Sequence, residues 1–476
     1  MLAYKLSDYK SEGCNQMNRN FEAVRVNWKF VSCILGTVFF WYIALFPGRL
    51  GYDYALAIRM IQKGDSTNWW TSLFFWFLRI TTFGGKFIFI ASLLGICALA
   101  YSIYYFIFSL PINSSTRRKA FIVILFTPFF GVFGVTVSHD VFQTAGIILL
   151  VAIELRFLLQ KTIETRHLYI MCIVAYTCLL TTQTGIFFIV ISLVTLLIRK
   201  KGKIAILLTF FVIIALVFSS IGISTEFMRN VKYYPIVADL KCIAQHPEAR
   251  ISPAEWDFLT KISPKEYWLE SKSCSSIGTV ETMPLNVTLI GPNKYFMQNY
   301  FGIISRNPAI FMMAHIQRSR GALPPPFFQG PENQVDLDVS NPIGLNTNIA
   351  LQIGPELLHP SIDEPSVDLN IAILKPIEFL AQIPTFLVNQ ASWFWGWGGF
   401  WFWPIMFFWL KNFTGYKISR RFFTLYPLYI LHLLLFILNP GALGRYYMST
   451  ILIGIIISII LVINFVDNQN KILENR

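Results

Sequence analysis

Residues 120–159 read AFIVILFTPFFGVFGVTVSHDVFQTAGIILLVAIELRFLL. Before Glu154 the only ionisable side chains in this stretch are His139 and Asp140. A membrane helix takes about 20 mostly apolar residues, so the stretch predicts two spans, 120–137 and 141–159, hinged at Ser138-His139-Asp140. Ionisable groups at membrane depth are costly and mark function by default. The plainer role for Asp140 is to cap the second span, since Asp is a good N-cap. The stretch therefore sets a fold class, an α-helical polytopic membrane protein, and a first candidate site.

The same ruler carried outward gives about ten spans. They lie near 28–46, 86–110, 120–137, 141–159, 167–182, 185–198, 204–222, 393–410, 422–438 and 448–464. The fifth and sixth are short and parted only by Thr182-Gln183-Thr184-Gly185, so two full spans or a reentrant pair both stay open. Of all residues, 55% are hydrophobic and 14% charged, against about 25% charged in soluble proteins. A disordered chain, a disulfide-knit secreted module and an ordinary soluble enzyme are excluded. The net charge of +13 is no nucleic-acid footprint, because the basic residues sit between apolar spans. The seven cysteines form no CxxC pair and match no zinc spacing. The first apolar run follows a polar N-terminus and reads as a retained span rather than a cleaved signal.

Lys and Arg in short loops set the orientation. One set of connections holds Arg117-Arg118-Lys119, Lys161, Arg166, Arg199-Lys200-Lys201-Gly202-Lys203, Lys411, Lys417, Arg420 and Arg421, and the N-terminal tail adds Lys5, Lys10, Arg19 and Arg25. The opposite short connections hold only Arg445. Both termini are expected in the cytoplasm. The chain then divides into a membrane module over 1–222, an outer domain over 223–392 and a second membrane module over 393–476. The outer domain holds 16 Asp and Glu against 12 Lys and Arg, helical patches at 234–246 and 253–260, and Cys242 and Cys274. In an oxidising periplasm these two are expected to form a disulfide; two unpaired buried thiols are the alternative.

Two further features share the outer face with His139-Asp140. The first outer loop, 47–86, opens with Gly48-Arg49-Leu50-Gly51-Tyr52-Asp53-Tyr54 just past span one. It continues through Arg59, Gly64-Asp65 and Asn68-Trp69-Trp70 into the aromatic segment 73–80, which is too short to span and reads as an interfacial helix. The last outer loop carries Gly444-Arg445-Tyr446-Tyr447, a lone cation whose fork suits a phosphate. Taken singly, Asp53 is more often a turn or cap, and Arg445 a headgroup contact. The aromatic run Trp393–Trp403 reads first as an interfacial anchor belt.

The pattern Gly51-Tyr52-Asp53, Arg59, Gly64-Asp65, Asn68-Trp69-Trp70, with His139-Asp140, Tyr234–Leu240 and Gly444–Tyr447, resembles the GT-C superfamily of glycosyltransferases. Within it the chain looks like the serotype-converting O-antigen glucosyltransferases of temperate phages. Where members follow Gly-Asp with a His-Pro-type motif, this chain has Asn-Trp-Trp-Thr. The resemblance implies an enzyme of the bacterial inner membrane working on its periplasmic face by inverting transfer. Its donor would be a sugar on polyprenyl phosphate and its acceptor a lipid-linked glycan such as O-antigen, with a divalent cation as a possible cofactor and no nucleic-acid partner. On that reading Asp53 is the base, with His139 and Asp140 beside the donor phosphate or metal. Arg445 and Arg59 would hold phosphate, and Tyr446, Trp69 and Asn68 would meet sugar or prenyl chain. The alternatives are a lipid-linked sugar flippase or transporter, an O-antigen polymerase, and an O-acetyltransferase.

Overall fold

The computed structural model describes residues 28–44, 49–50, 54, 57–58, 61, 71–86, 88–159, 165–220, 233–270, 274, 283–286, 288–291, 293–319, 398–414, 416–438 and 447–474. The architecture is helical. The bundle comprises α1 (Trp28–Ala44), α2 (Ser72–Thr81), α3 (Phe89–Ser109), α4 (Ser114–Leu125), α5 (Pro128–Gly134), α6 (His139–Leu158), α7 (Thr165–Leu179), α8 (Gly185–Ile198) and α9 (Gly202–Ser220). A second group follows: α10 (Tyr234–Gln245), α11 (Pro253–Ile262), α12 (Lys265–Leu269), α13 (Lys294–Arg306) and α14 (Pro308–Ser319). Then come α15 (Gly398–Asn412), α16 (Ile418–Phe423), α17 (Tyr426–Leu438) and α18 (Met448–Glu474).

At the centre stands α6, buried along almost its whole length and packed against α3, α7, α17 and α18. Among the described residues three helices are long and apolar enough to cross a membrane: α3, α6 and the first 20 residues of α18. Shorter helices carry apolar stripes on their outer faces: Leu35, Phe39 and Ile43 on α1; Phe187, Val190, Val194 and Leu197 on α8; Ile206, Phe210, Ile213 and Val217 on α9. These exposed residues recur every three or four positions, inverting the soluble pattern in which the apolar face turns inward. An apolar outer surface on this scale fits an apolar surrounding.

The run 120–137, read above as one span, is two helices, α4 and α5. The break is at Thr127-Pro128. Pro128 has no N–H to continue α4 and disfavours helix in the residue before it. Thr127 Oγ1 accepts from the Phe130 N–H and starts α5 afresh. Trp41 of α1 donates from Nε1 to Leu125 O at 2.7 Å, beside this break. Gly131 permits that approach, because a Cβ there would lie 2.1 Å from the Trp41 ring. The pair α7 and α8 is joined by a tight turn at 180–184. Gly185 lies so close to Leu179 O that no Cβ fits between them. Fourteen-residue α8 rises about 21 Å at 1.5 Å per residue, less than the roughly 30 Å hydrocarbon layer.

The group α10–α14 has its own core of Leu240, Ile243, Phe258, Leu259, Ile262, Trp268, Phe296 and Ile303. Its α11 begins with a capping box, Ser252 and Glu255 each bonding the other's backbone. Cys242 and Cys274 are joined in a disulfide. The group touches the bundle where α14 meets α17.

Candidate active site

Two short strands, Arg49–Leu50 (β1) and Thr136–Val137 (β2), pair in parallel with Arg49 opposite Thr136 and Leu50 opposite Val137. The bridge sets Arg49–Leu50 against the two residues that precede Ser138. Four residues past Leu50, Tyr54 is buried to 1% exposure. Its hydroxyl lies 2.5 Å from His139 Nδ1, 3.2 Å from Asp140 Oδ2 and 2.8 Å from Ser138 Oγ. Ser138 caps α6 by accepting from the Asp140 N–H at 3.0 Å, and its hydroxyl is 3.1 Å from Asp140 Oδ2. Asp140 sits in the first turn, where the helix dipole favours negative charge. It is 3% exposed. His139 Nε2 lies 3.5 Å from Asp140 Oδ1, and its ring is the network's opening to the surface at 24% exposure.

Proton counting constrains this network. Tyr54 and Ser138 own one hydroxyl proton each, yet three acceptors surround Tyr54. When Tyr54 donates to Asp140, His139 must donate from Nδ1 to the phenol oxygen. When Tyr54 donates to His139, Ser138 serves Asp140. The Tyr54 hydroxyl thus links His139 and Asp140 in one hydrogen-bonded path. Phe74 flanks the centre at 5.9 Å from Tyr54 and 5.7 Å from His139. Thr71 Oγ1, the N-cap of α2, is within bonding distance of Leu180 O and Thr181 O, and Gln143 Nε2 donates to Thr184 Oγ1 at 3.0 Å. Four chain segments thus meet at the start of α6, and α2 takes the place of the interfacial helix read at 73–80.

His139 and Asp140 are the sequence-derived site residues that stand here. Asp53 adjoins Tyr54 in the chain but lies outside the described residues, as do Arg59, Asn68, Trp69, Arg445 and Tyr446. Ser138 stands with the doublet and Tyr54 with Asp53 in the sequence motifs, but neither carries an expected role there. The available signal was Tyr54's place beside Asp53, which does not say which way its ring faces. Among the described residues no three His, Cys, Asp or Glu side chains gather as a metal set; His139 and Asp140 would offer two ligands.

A second buried carboxylate lies between α10 and α14. Asp239 takes Arg318 Nε at 2.9 Å and Nη2 at 2.9 Å, one bond to each oxygen. His315 Nδ1 is 3.2 Å from Asp239 Oδ2 and 2.8 Å from Arg318 Nη2. Next along, Ser319 Oγ donates to Phe436 O in the last turn of α17 at 2.7 Å, and the His315 ring packs on Phe436 at 4.8 Å. No protein-family model, no curated protein and no solved structure matches this chain.

Proposed function

We propose that the chain is a polytopic enzyme of about ten spans, both termini cytoplasmic, that transfers a sugar from a polyprenyl-phosphate donor to a lipid-linked surface glycan at the periplasmic face. Glucose and O-antigen are the favoured donor sugar and acceptor. The observation that carries the reading is the meeting of the 49–54 segment with 136–140: the residue after Asp53 is bonded to both members of the His139-Asp140 doublet. Inverting transfer needs a base for the acceptor hydroxyl and a place for the leaving phosphate. In this reading Asp53 is the base, and Arg445 and Arg59 hold the departing phosphate. His139, the network's opening, hydrogen-bonds that phosphate or shares a divalent cation with Asp140. Trp69, Asn68 and Tyr446 contact sugar or prenyl chain. The half-open site beside an apolar outer surface lets a polar acceptor approach while the prenyl tail stays in lipid.

The test is sugar transfer by the full-length protein in proteoliposomes, with prenyl-phosphate glucose and lipid-linked glycan and no ion gradient. Wild type should turn over, and Asp53→Asn should lose about 10²- to 10⁴-fold. Asn caps a helix as well as Asp does, so survival of activity in Asp53→Asn would remove it as the base. No transfer by wild type, with sugar instead moved across the bilayer, would replace the enzyme with a flippase.

A further inference from the structure

The end of α6 opposite Asp140 carries a second charged centre with no part in the proposed transfer. Sixteen residues separate Asp140 from Arg156, about 24 Å at helical rise. Arg156 is half-buried, and its Nε donates to Ser109 Oγ at 2.8 Å, at the last residue of α3. Buried Arg117 of α4 donates from Nη2 to the next residue, Leu110 O, at 2.9 Å. Two guanidiniums are therefore fastened to neighbouring residues of one helix end. The Arg156 guanidinium stands 5.3 Å over the Tyr105 ring, which packs at 4.6 Å on Tyr101.

Among the described residues no carboxylate pairs with Arg156. Asp467, at the same end, is bonded to Lys119 at 2.8 Å, and Glu154 faces Arg199 at 3.9 Å. The helix dipoles do not supply the missing charge. The C-terminal end of α3 offers about half a negative charge. The N-terminal end of α4, only a few residues on, offers about half a positive one and has no acid in its first turn. The two nearly cancel. A topology signal explains exposed Arg118 and Lys119, but a cation marking the inner face gains nothing by burial. An oxyanion answers all of these at once: it neutralises Arg156, suits the α4 N-terminus, and takes the planar fork of a guanidinium on two oxygens.

We infer that the junction of α3, α4 and the end of α6, where Arg117, Arg156, Tyr101 and Tyr105 gather, binds a phosphate group, either the headgroup phosphate of an anionic lipid or free phosphate. The inference needs neither the glycosyltransferase reading nor an assigned membrane side.

The test uses delipidated full-length protein in detergent. Native mass spectrometry compares retention of phosphatidylglycerol and phosphatidylcholine supplied in equal amounts, and thermal unfolding compares inorganic phosphate with chloride at equal ionic strength. Wild type should favour phosphatidylglycerol by about fivefold, the scale of one basic residue at an anionic lipid, or gain Tm with phosphate. Arg156→Gln should lose whichever response occurs, while Lys203→Gln, an exposed charge at the same end, should keep it. Lipid preference without a phosphate effect identifies a headgroup, and the reverse identifies free phosphate. Neither response in wild type, or the wild-type response intact in Arg156→Gln, overturns the site. Should Arg156→Gln not fold, Arg156→Lys keeps the charge without the fork; an unchanged response there overturns it equally.

Discussion

Asp140 and Asp239 are each 3% exposed, yet the protein treats them in opposite ways. Asp239 is closed on both oxygens by Arg318, itself 1% exposed. Its charge is matched by a fixed cation, and the pair ties α14 to α10. Among the described residues, Asp140 is met by the hydroxyls of Tyr54 and Ser138 and by His139, a histidine open to the surface. Equal burial therefore goes with two different surroundings. The difference lies in the first partner: Asp239 is held on both oxygens by a guanidinium that keeps all its protons, with His315 Nδ1 beside Oδ2, whereas Asp140 is met by hydroxyls that can turn their proton to another acceptor.

Substitution should separate the two, and the largest contrast comes first. Asp140→Asn should lower sugar transfer by about 10²- to 10⁴-fold with yield and thermal unfolding near wild type. Asp239→Asn should instead take away the carboxylate charge that faces the Arg318 fork and cost about 3–5 kcal/mol of stability, read as a lowered unfolding temperature. Asp239→Asn unfolding like wild type while Asp140→Asn collapses would reverse the comparison. Next, Cys242→Ser with Cys274→Ser should cost about 2–4 kcal/mol in α10–α14 and spare the α6 site. Limited proteolysis reports the first and transfer the second, and equal losses in both would mean that the regions are not separate.

Tyr54→Phe removes one hydroxyl from the Asp140 network and keeps the ring that packs on Phe74. The expected fall in transfer is roughly tenfold, the scale of a hydrogen bond to a charged group, with a changed pH profile because His139 loses the Tyr54 hydroxyl. An unaltered profile would show that Tyr54 only packs. The smallest effect concerns Tyr300, near the Asp239 pair. Burial first, and the Asp239 charge second, push its phenol up from 10.0 to about 12, against the opposing Arg318. Because the folded value is the higher, its contribution to stability is whole below pH 10 and lost as pH rises towards 12. Asp239→Asn should lower this titration and Arg318→Gln should raise it, as followed by ultraviolet difference against Tyr300→Phe. No movement in either would separate Tyr300 from the pair.

Local features were legible in the sequence, and contacts between distant segments were not. Helical patches at 234–246 and 253–260 correspond to α10 and α11, because an amphipathic stripe and the Ser252–Glu255 capping signal are written within a dozen residues. The apolar run 120–137 misled, because its composition is apolar throughout and its breakers, Pro128, Gly131 and Gly134, are tolerated in many membrane helices. His139-Asp140 stood out as the charged interruption of an apolar stretch. Tyr54 did not, since nothing in a tyrosine's own neighbourhood says that it meets residues 85 and 86 positions away. Arg318 and His315 were missed for the same reason: their partner Asp239 lies on another helix.

The parallel bridge between β1 and β2 has a consequence for the order in which the protein is built. Parallel strands cannot be closed by a hairpin and need a long crossover; here that crossover holds α2, α3, α4 and α5. Chains emerge from their N-terminus first. The first loop is therefore made early and must wait, with Tyr54 lacking its partners, until α6 has been synthesised and seated. A chain halted before residue 139 contains Tyr54 but neither His139 nor Asp140, so the network around α6 forms only after the crossover is complete.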